Sequence, residues 1–129
     1  RSPLFYAAAQ NNVECFRLLI DNRPDLINLG DVEGDRPIHL CAYYGHHEVL
    51  ELLLQYNADV NLFNNKGFTA LHVCSNAVCA KLLLDYNSDV FATDGEHRIP
   101  LFSACASNKA SVVTEIINYP RYHATEMLK

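Results

Sequence analysis

One seven-residue phrase, repeated along the chain, limits what this sequence can fold into. Arg36-Pro37-Ile38-His39-Leu40-Cys41-Ala42 returns little changed as Thr69-Ala70-Leu71-His72-Val73-Cys74-Ser75. Looser copies run Ser2-Pro3-Leu4-Phe5-Tyr6-Ala7-Ala8 and Ile99-Pro100-Leu101-Phe102-Ser103-Ala104-Cys105. Their second residues stand at positions 3, 37, 70 and 100, in steps of 34, 33 and 30. Repetition at that period means a stack of similar supersecondary units, each burying its apolar face on its neighbours, rather than one closed core. Such an architecture argues against an enzyme.

Each unit continues in the same way. Val49-Leu50 and Leu52-Leu53-Leu54 are echoed by Cys79-Ala80 and Leu82-Leu83-Leu84, by Cys15-Phe16 and Leu18-Leu19-Ile20, and by Val112-Val113 and Ile116-Ile117. Apolar residues at i, i+1, i+4 and i+5 form the buried stripe of a short amphipathic helix. Ahead of three of the repeated phrases lie the turn-rich stretches Gly30 to Asp35, Asn64 to Phe68 and Thr93 to Arg98. Their Asn, Asp and Gly residues suit tight turns with positive φ. The unit therefore reads as turn, helix, helix.

These residues resemble the ankyrin repeat, whose signature is Thr-Pro-Leu-His-x-Ala-Ala, then Gly-His, then a Leu-rich second helix ending in Ala-Asp-Val-Asn. The second unit carries most of it, including Gly45-His46 and Ala58-Asp59-Val60-Asn61, and the resemblance runs from about residue 2 to 119. It implies an all-α solenoid of about four helix–turn–helix repeats with short β-hairpin-like turns. The repeats fall near 1–29, 30–61, 62–91 and 92–119 of a single 1–129 domain, with 120–129 as a C-terminal tail. Because the chain opens inside a repeat, it reads as a piece of a longer protein.

Departures from the signature carry information. Between Cys74 and Val78 the third repeat lacks three residues where the second has its Gly45-His46 turn. Its first helix or turn must be shortened, which predicts a local notch in the concave surface. In the family a Thr hydroxyl bonds the His ring. Thr69 and His72 keep that pair, Arg36 removes the hydroxyl beside His39, and Ile99 with Phe102 makes both members apolar. Losing one partner leaves a buried group unpaired, whereas replacing both is close to neutral. His39 is therefore expected to find a backbone carbonyl. Leu52 and Leu71, on the repeating apolar slots, should be buried.

Composition narrows the function classes. Half the residues are apolar, enough for a continuous core between stacked units. No window of 18 apolar residues marks a membrane span, and nothing at the N-terminus reads as a signal peptide. The five cysteines, an odd number, are expected to be buried free thiols in small apolar slots, as in a reducing compartment, the cytoplasm or the nucleus. A net charge of −5, the absence of any Lys/Arg run and the acidic turn Asp31, Glu33, Asp35 argue against nucleic acid. They favour a protein or peptide partner with a basic patch.

Catalytic and metal patterns are missing from the sequence. Adjacent His46 and His47 point about 100° apart on a helix and cannot converge on one ion. Cys74 and Cys79 are five apart, too wide for a Cys-x-x-Cys knuckle. Cys41 and Cys74 recur at one repeat position and are read as packed core thiols rather than as ligands of a shared metal. The glycines fall singly in separate turns, so there is no phosphate-cradling loop. No cofactor is expected.

The resemblance implies that turn tips and first helices form a concave partner-binding face. Carried over by position, that face comprises Val32, Glu33, Asp35, Tyr43, Tyr44, Phe63, Asn65, Lys66, Phe68, Asn76, Glu96 and Arg98. Tyr43, Tyr44 and Phe68, the last expected on a protruding tip, stand out because the repeat's core pattern requires no aromatic there. His46 and His47 are expected to close the inter-helix turn. The function implied is a non-catalytic protein-interaction module. The alternative is a structural spacer in a longer array that precedes a catalytic or membrane domain.

The resemblance implies one modification as well. Ankyrin-repeat asparagines are hydroxylated at the β-carbon when they follow an Asp-Val-like pair with a Leu eight residues earlier. Asn61 has Leu53, Asp59 and Val60 at those offsets. The other reading is that Asn61 simply bonds backbone groups between repeats. Mass spectrometry of cell-derived protein separates the two. One added oxygen on the Asn61 peptide supports hydroxylation. An unmodified peptide, where other ankyrin proteins are hydroxylated, removes it.

Overall fold

Proline begins three of the four first helices, where its fixed φ fits the first turn and its missing N–H is not needed. The computed structural model describes residues 3–120. In it the first helices are α1 (Pro3–Ala9), α3 (Pro37–Tyr44), α5 (Ala70–Val73) and α7 (Pro100–Ala106). The second helices are α2 (Val13–Asn22), α4 (His47–Gln55), α6 (Ala77–Asp85) and α8 (Ala110–Asn118), with one 3-10 turn at Pro24–Leu26. The described residues form no strand. Helix ends fall at residues that tolerate positive φ: Asn11, Gly45 and Asn108 after first helices, Asn57 and Asn87 after second helices.

First helices stack on first helices (α1, α3, α5, α7) and second on second (α2, α4, α6, α8), while each repeat packs its own pair together. The core runs through the stack from Leu4, Phe16 and Ile20 through Ile38, Leu50 and Leu53 to Leu71, Leu83, Leu84, Val112 and Ile116. Leu52 and Leu71 are buried at 7% and 1% exposure, which fixes the register of the repeat. Cys41, Cys74 and Cys79 are buried free thiols as expected. Cys15 and Cys105 are not: both are exposed, because their helices carry them on the outer side of the terminal repeats.

The three turns share one construction. Asp31, Asn64 and Asp94 each accept two backbone N–H bonds through Oδ1, from Glu33 and Asp35, from Lys66 and Phe68, and from Glu96 and Arg98. Adjacent turns are joined by backbone bonds, Asn65 N–H to the Glu33 carbonyl at 3.0 Å and Gly95 N–H to the Lys66 carbonyl at 2.9 Å. Gly67 has φ +81°, and a β-carbon there would meet Gly95 N at 2.6 Å. Only glycine allows that approach. A second set of links runs along the outer edge: Asp59 N–H bonds Asn28 Oδ1 at 3.1 Å, and Asp89 N–H bonds Asn61 Oδ1 at 2.8 Å.

The missing residues of the third repeat come out of its first helix, which has 4 residues against 8 in α3 and 7 in α7. In the other repeats the carbonyl near the helix end is closed by the backbone turn that follows. Asn12 N–H bonds Ala7 O, His46 N–H bonds Cys41 O, and Lys109 N–H bonds Ala104 O, each at 2.9 Å. The equivalent carbonyl, just past the end of α5, belongs to Cys74, and the turn that would close it is gone. Lys109 of the fourth repeat supplies the replacement, with Nζ donating to Cys74 O at 3.0 Å. Ser75 Oγ, at 3.2 Å, and Ser75 N–H, at 3.1 Å, tie the shortened connection to Ala42 O in the second repeat. Asn76 then caps α6 by accepting from Cys79 N–H at 2.8 Å.

Candidate functional site

Two buried histidines position the turns over the first helices. The His39 ring accepts the Arg36 backbone N–H at Nδ1 (3.0 Å) and donates from Nε2 to the Phe68 carbonyl (2.8 Å), the backbone acceptor expected for it. His72 repeats the arrangement: Nδ1 accepts Thr69 N–H (3.1 Å) and the Thr69 hydroxyl (2.9 Å), and Nε2 donates to the Arg98 carbonyl (2.9 Å). Each ring thus pins the following turn to the preceding helix. Arg36 has no hydroxyl to offer the ring, and its guanidinium donates instead to the Asn28 carbonyl at 3.0 Å. Burial pushes both imidazoles below the usual histidine value, outweighing their carbonyl partners.

Between the first two of these turns and α3 lies a cleft of about 580 Å³. It brings together Glu33, Asp35, Tyr43, Tyr44, Asn65, Lys66 and Phe68 from the expected site, with Leu40, Asn64 and Val73 added. Tyr43 and Tyr44 are 60% and 51% exposed and pack edge to face at 5.1 Å, and Tyr44 stacks on His46 at 5.8 Å. Phe68 is not on a protruding tip. The tip is the Asn64–Gly67 turn, and Phe68 lies at its base, half-buried, with its ring 5.9 Å from that of His72. It is a wall of the cleft, not a free anchor.

A second cleft of about 270 Å³ adjoins the first, sharing Tyr43, Phe68 and Val73. It occupies the space beyond the short α5, so Tyr43 of the second repeat and Ala106, Ser107 and Lys109 of the fourth line one cavity. This is the notch that the gap in the repeat implied. Arg98 lines it too, with Nε 2.9 Å from Asp94, Nη1 3.5 Å from Glu96 and its guanidinium carbon 5.9 Å from the centroid of the Phe102 ring. Burial pushes the Asp94 carboxyl up, but the Arg98 and Glu96 backbone N–H groups and the guanidinium outweigh it and hold the carboxyl below its usual range.

The remaining site residues line neither cleft. Val32 is 95% exposed on the first turn and lends its carbonyl to Asn65 Nδ2. Phe63 and Glu96 are exposed beside the turns, and Asn76 is a helix cap that donates to Gly45 O. His46 closes its own turn, as expected, through its backbone N–H to Cys41 O, and its ring bonds outward through Nδ1 to the Ala8 carbonyl of the first repeat at 3.0 Å. Asn61 is exposed, its N–H donating to Asp59 Oδ1 at 2.9 Å. Phe102 and Lys109 were missed. The available signals were an aromatic in the His slot of the last unit and a lysine where His46 stands in the second.

The buried cysteines are poor metal ligands. Burial raises the Cys41 thiol and pushes Cys74 up to about 12 and Cys79 to about 11, which keeps them protonated. Among the described residues no group of three or more His, Cys, Asp or Glu is placed to hold an ion. Nor is any helix there long and apolar enough to cross a membrane.

Stacked turn–helix–helix units, their turns pinned by histidines above a layer of first helices, define a helical-repeat solenoid. The chain belongs to the ankyrin-repeat family: the model described as ankyrin repeats (3 copies) matches residues 1–64, and the single ankyrin-repeat model matches residues 66–95. It is 40% identical over 92 residues to the human transient receptor potential cation channel subfamily A member 1, covering 67% of this chain and 8% of the channel. A probable E3 ubiquitin-protein ligase of Oryza sativa subsp. japonica is 38% identical over 90 residues, covering 66% and 18% of the two chains. A putative ankyrin repeat protein of fowlpox virus is 29% identical over 126 residues, covering 92% and 37%. The chain thus spans well under half the length of each. Ankyrin repeats themselves are non-catalytic modules.

The histidines give this site a pH dependence of known sign. With folded values below 6.5 and unfolded values near it, their contribution to stability is complete above about pH 6.5 and is lost as pH falls toward the folded values. Histidine ring signals followed by NMR should titrate below 6.5 for His39 and His72, with the proton on Nε2 in the neutral form. A midpoint at or above 6.5 for either ring would contradict the packing described.

Proposed function

We propose that this segment is a non-catalytic protein-interaction module that takes a protein or peptide in the cleft between its turns and first helices. The observation that carries this reading is the pair Tyr43 and Tyr44, more than half exposed on an otherwise well-buried helix and set in the wall of a preformed cleft. Aromatics of that kind are frequent binding anchors, and a pinned cleft loses little entropy on binding. Glu33 and Asp35 on the adjoining turn give one end an acidic wall, which favours a basic stretch in the partner. The buried free thiols suit a reducing compartment, the cytoplasm or the nucleus. What the module serves in its parent protein depends on the domains joined to it, as the channel and ligase relatives illustrate.

Affinity capture from cell extract with the wild-type chain and a Tyr43→Ala/Tyr44→Ala variant tests this reading. The variant should bind its captured partner at least tenfold more weakly, about 1.4 kcal/mol, with its melting temperature nearly unchanged. Glu33→Lys should slow association with that partner. Undiminished binding by the double variant would contradict the cleft as the binding face, and capture of no partner by the wild-type chain would leave the structural-spacer role instead.

A further inference from the structure

We infer that the gap in the third repeat is a specificity pocket, occupied by one bulky apolar side chain of an extended peptide segment in the partner. In that segment an acidic residue neighbours the bulky one, and a basic residue lies about six positions away. This inference rests on the proposed function and assigns the chemistry of what the cleft binds.

Three observations carry it. The first is the shape of the pocket. Tyr43, Phe68 and Phe102 surround the space that another turn of α5 would fill, and Val73 is shared with the main cleft. Phe102 stands in the slot where the second and third repeats bury His39 and His72, yet it is 53% exposed, so its ring faces the notch instead of holding a further turn. An aromatic-walled cavity continuous with a larger cleft accepts a single large apolar side chain while the flanking backbone runs on along the face.

The second is charge. Arg98 is already matched by Asp94 and Glu96. Lys109 is different: its ammonium donates to a neutral carbonyl, Cys74 O, and has no carboxylate partner among the described residues. Two of its three donors remain for a ligand carboxylate. At the opposite end of the groove stand Glu33 and Asp35, with Lys66 on the turn between. The groove is thus acidic at the second repeat and basic at the fourth, which orders the charges of a complementary segment and rejects the reverse order.

The third is length. Helices packed in a layer are about 8–10 Å apart, so two repeats span roughly 20 Å. An extended chain advances about 3.3 Å per residue, placing the basic residue about six positions from the acidic one.

Selection from a phage-displayed random octapeptide library on the wild-type chain reads all three features together. The pool should share an aromatic or large aliphatic residue, an Asp or Glu within two positions of it, and a Lys or Arg about six positions away. In synthetic peptides from that pool, Ala in place of the bulky residue should weaken binding at least tenfold. Ala106→Trp, which fills the notch from its exposed rim, should abolish the effect of that Ala replacement while the basic residue still counts. Melting curves confirm the fold of the variant, and the peptide substitutions on the wild-type chain stand independently of it. No enriched pool, binders without the bulky residue, a reversed charge order, or equal dependence on that residue in the Ala106→Trp variant would each overturn the pocket. Tyr44→Ala then separates the two readings: loss of peptide binding keeps the cleft as the binding face, and undiminished binding removes that as well.

Discussion

The hydrogen bond from a buried imidazole to the next turn's carbonyl is the interaction on which the cleft and its turns depend. A repeat stack has no central core to fix the angle of its turns, so each turn must be held by its neighbour. His39 reaches Phe68 O, and His72 reaches Arg98 O. Both rings are fully bonded, so removing either leaves a carbonyl unsatisfied at a cost of about 1–3 kcal/mol. The turn-to-turn backbone bonds depend on the same placement, because Gly67 and Gly95 meet only when the turns stand at that angle. The cleft under the turns is consequently built before any partner arrives.

Against that regular frame the third repeat is an exception with a physical repair. Deleting the end of a helix exposes carbonyls that the lost turn had satisfied. Here the Cys74 carbonyl is recovered by the next repeat through Lys109, and the connection is anchored on the previous repeat through Ser75 and Ala42. The deletion is tolerated because both neighbours contribute. The same repair brings an ammonium group to the edge of a cavity walled by aromatics. A local loss of helix thereby leaves an aromatic-walled cavity between the second and fourth repeats.

Much of the fold was legible because the repeat period and the apolar slots obey simple rules. The buried stripes, the proline helix starts and the turn residues all follow from elementary geometry, and the three-residue gap itself implies the notch. The site was legible only by position. Phe68 follows a turn, and sequence alone does not say whether such a residue caps the tip or lines its base; the Asn64 side chain decides, by closing the turn on the Phe68 N–H. Cys105 occupies the slot of buried Ala42 but lies in the last repeat, where no further described unit covers it. Lys109 could not be found from its own repeat, since its role exists only because of a deletion in the one before.

Restoring the missing turn tests this account most directly. Tyr-Tyr-Gly inserted between Ser75 and Asn76 rebuilds the connection of the second repeat, and Lys109→Met removes the ammonium while keeping an apolar stem. Denaturant unfolding of the four proteins of this cycle measures the coupling. In the natural chain Lys109→Met should cost about 1–3 kcal/mol, because the Cys74 carbonyl loses its donor. With the turn restored the same change should cost close to nothing. An equal cost in both backgrounds would contradict the account, because it would mean that Lys109 does not stand in for the missing turn.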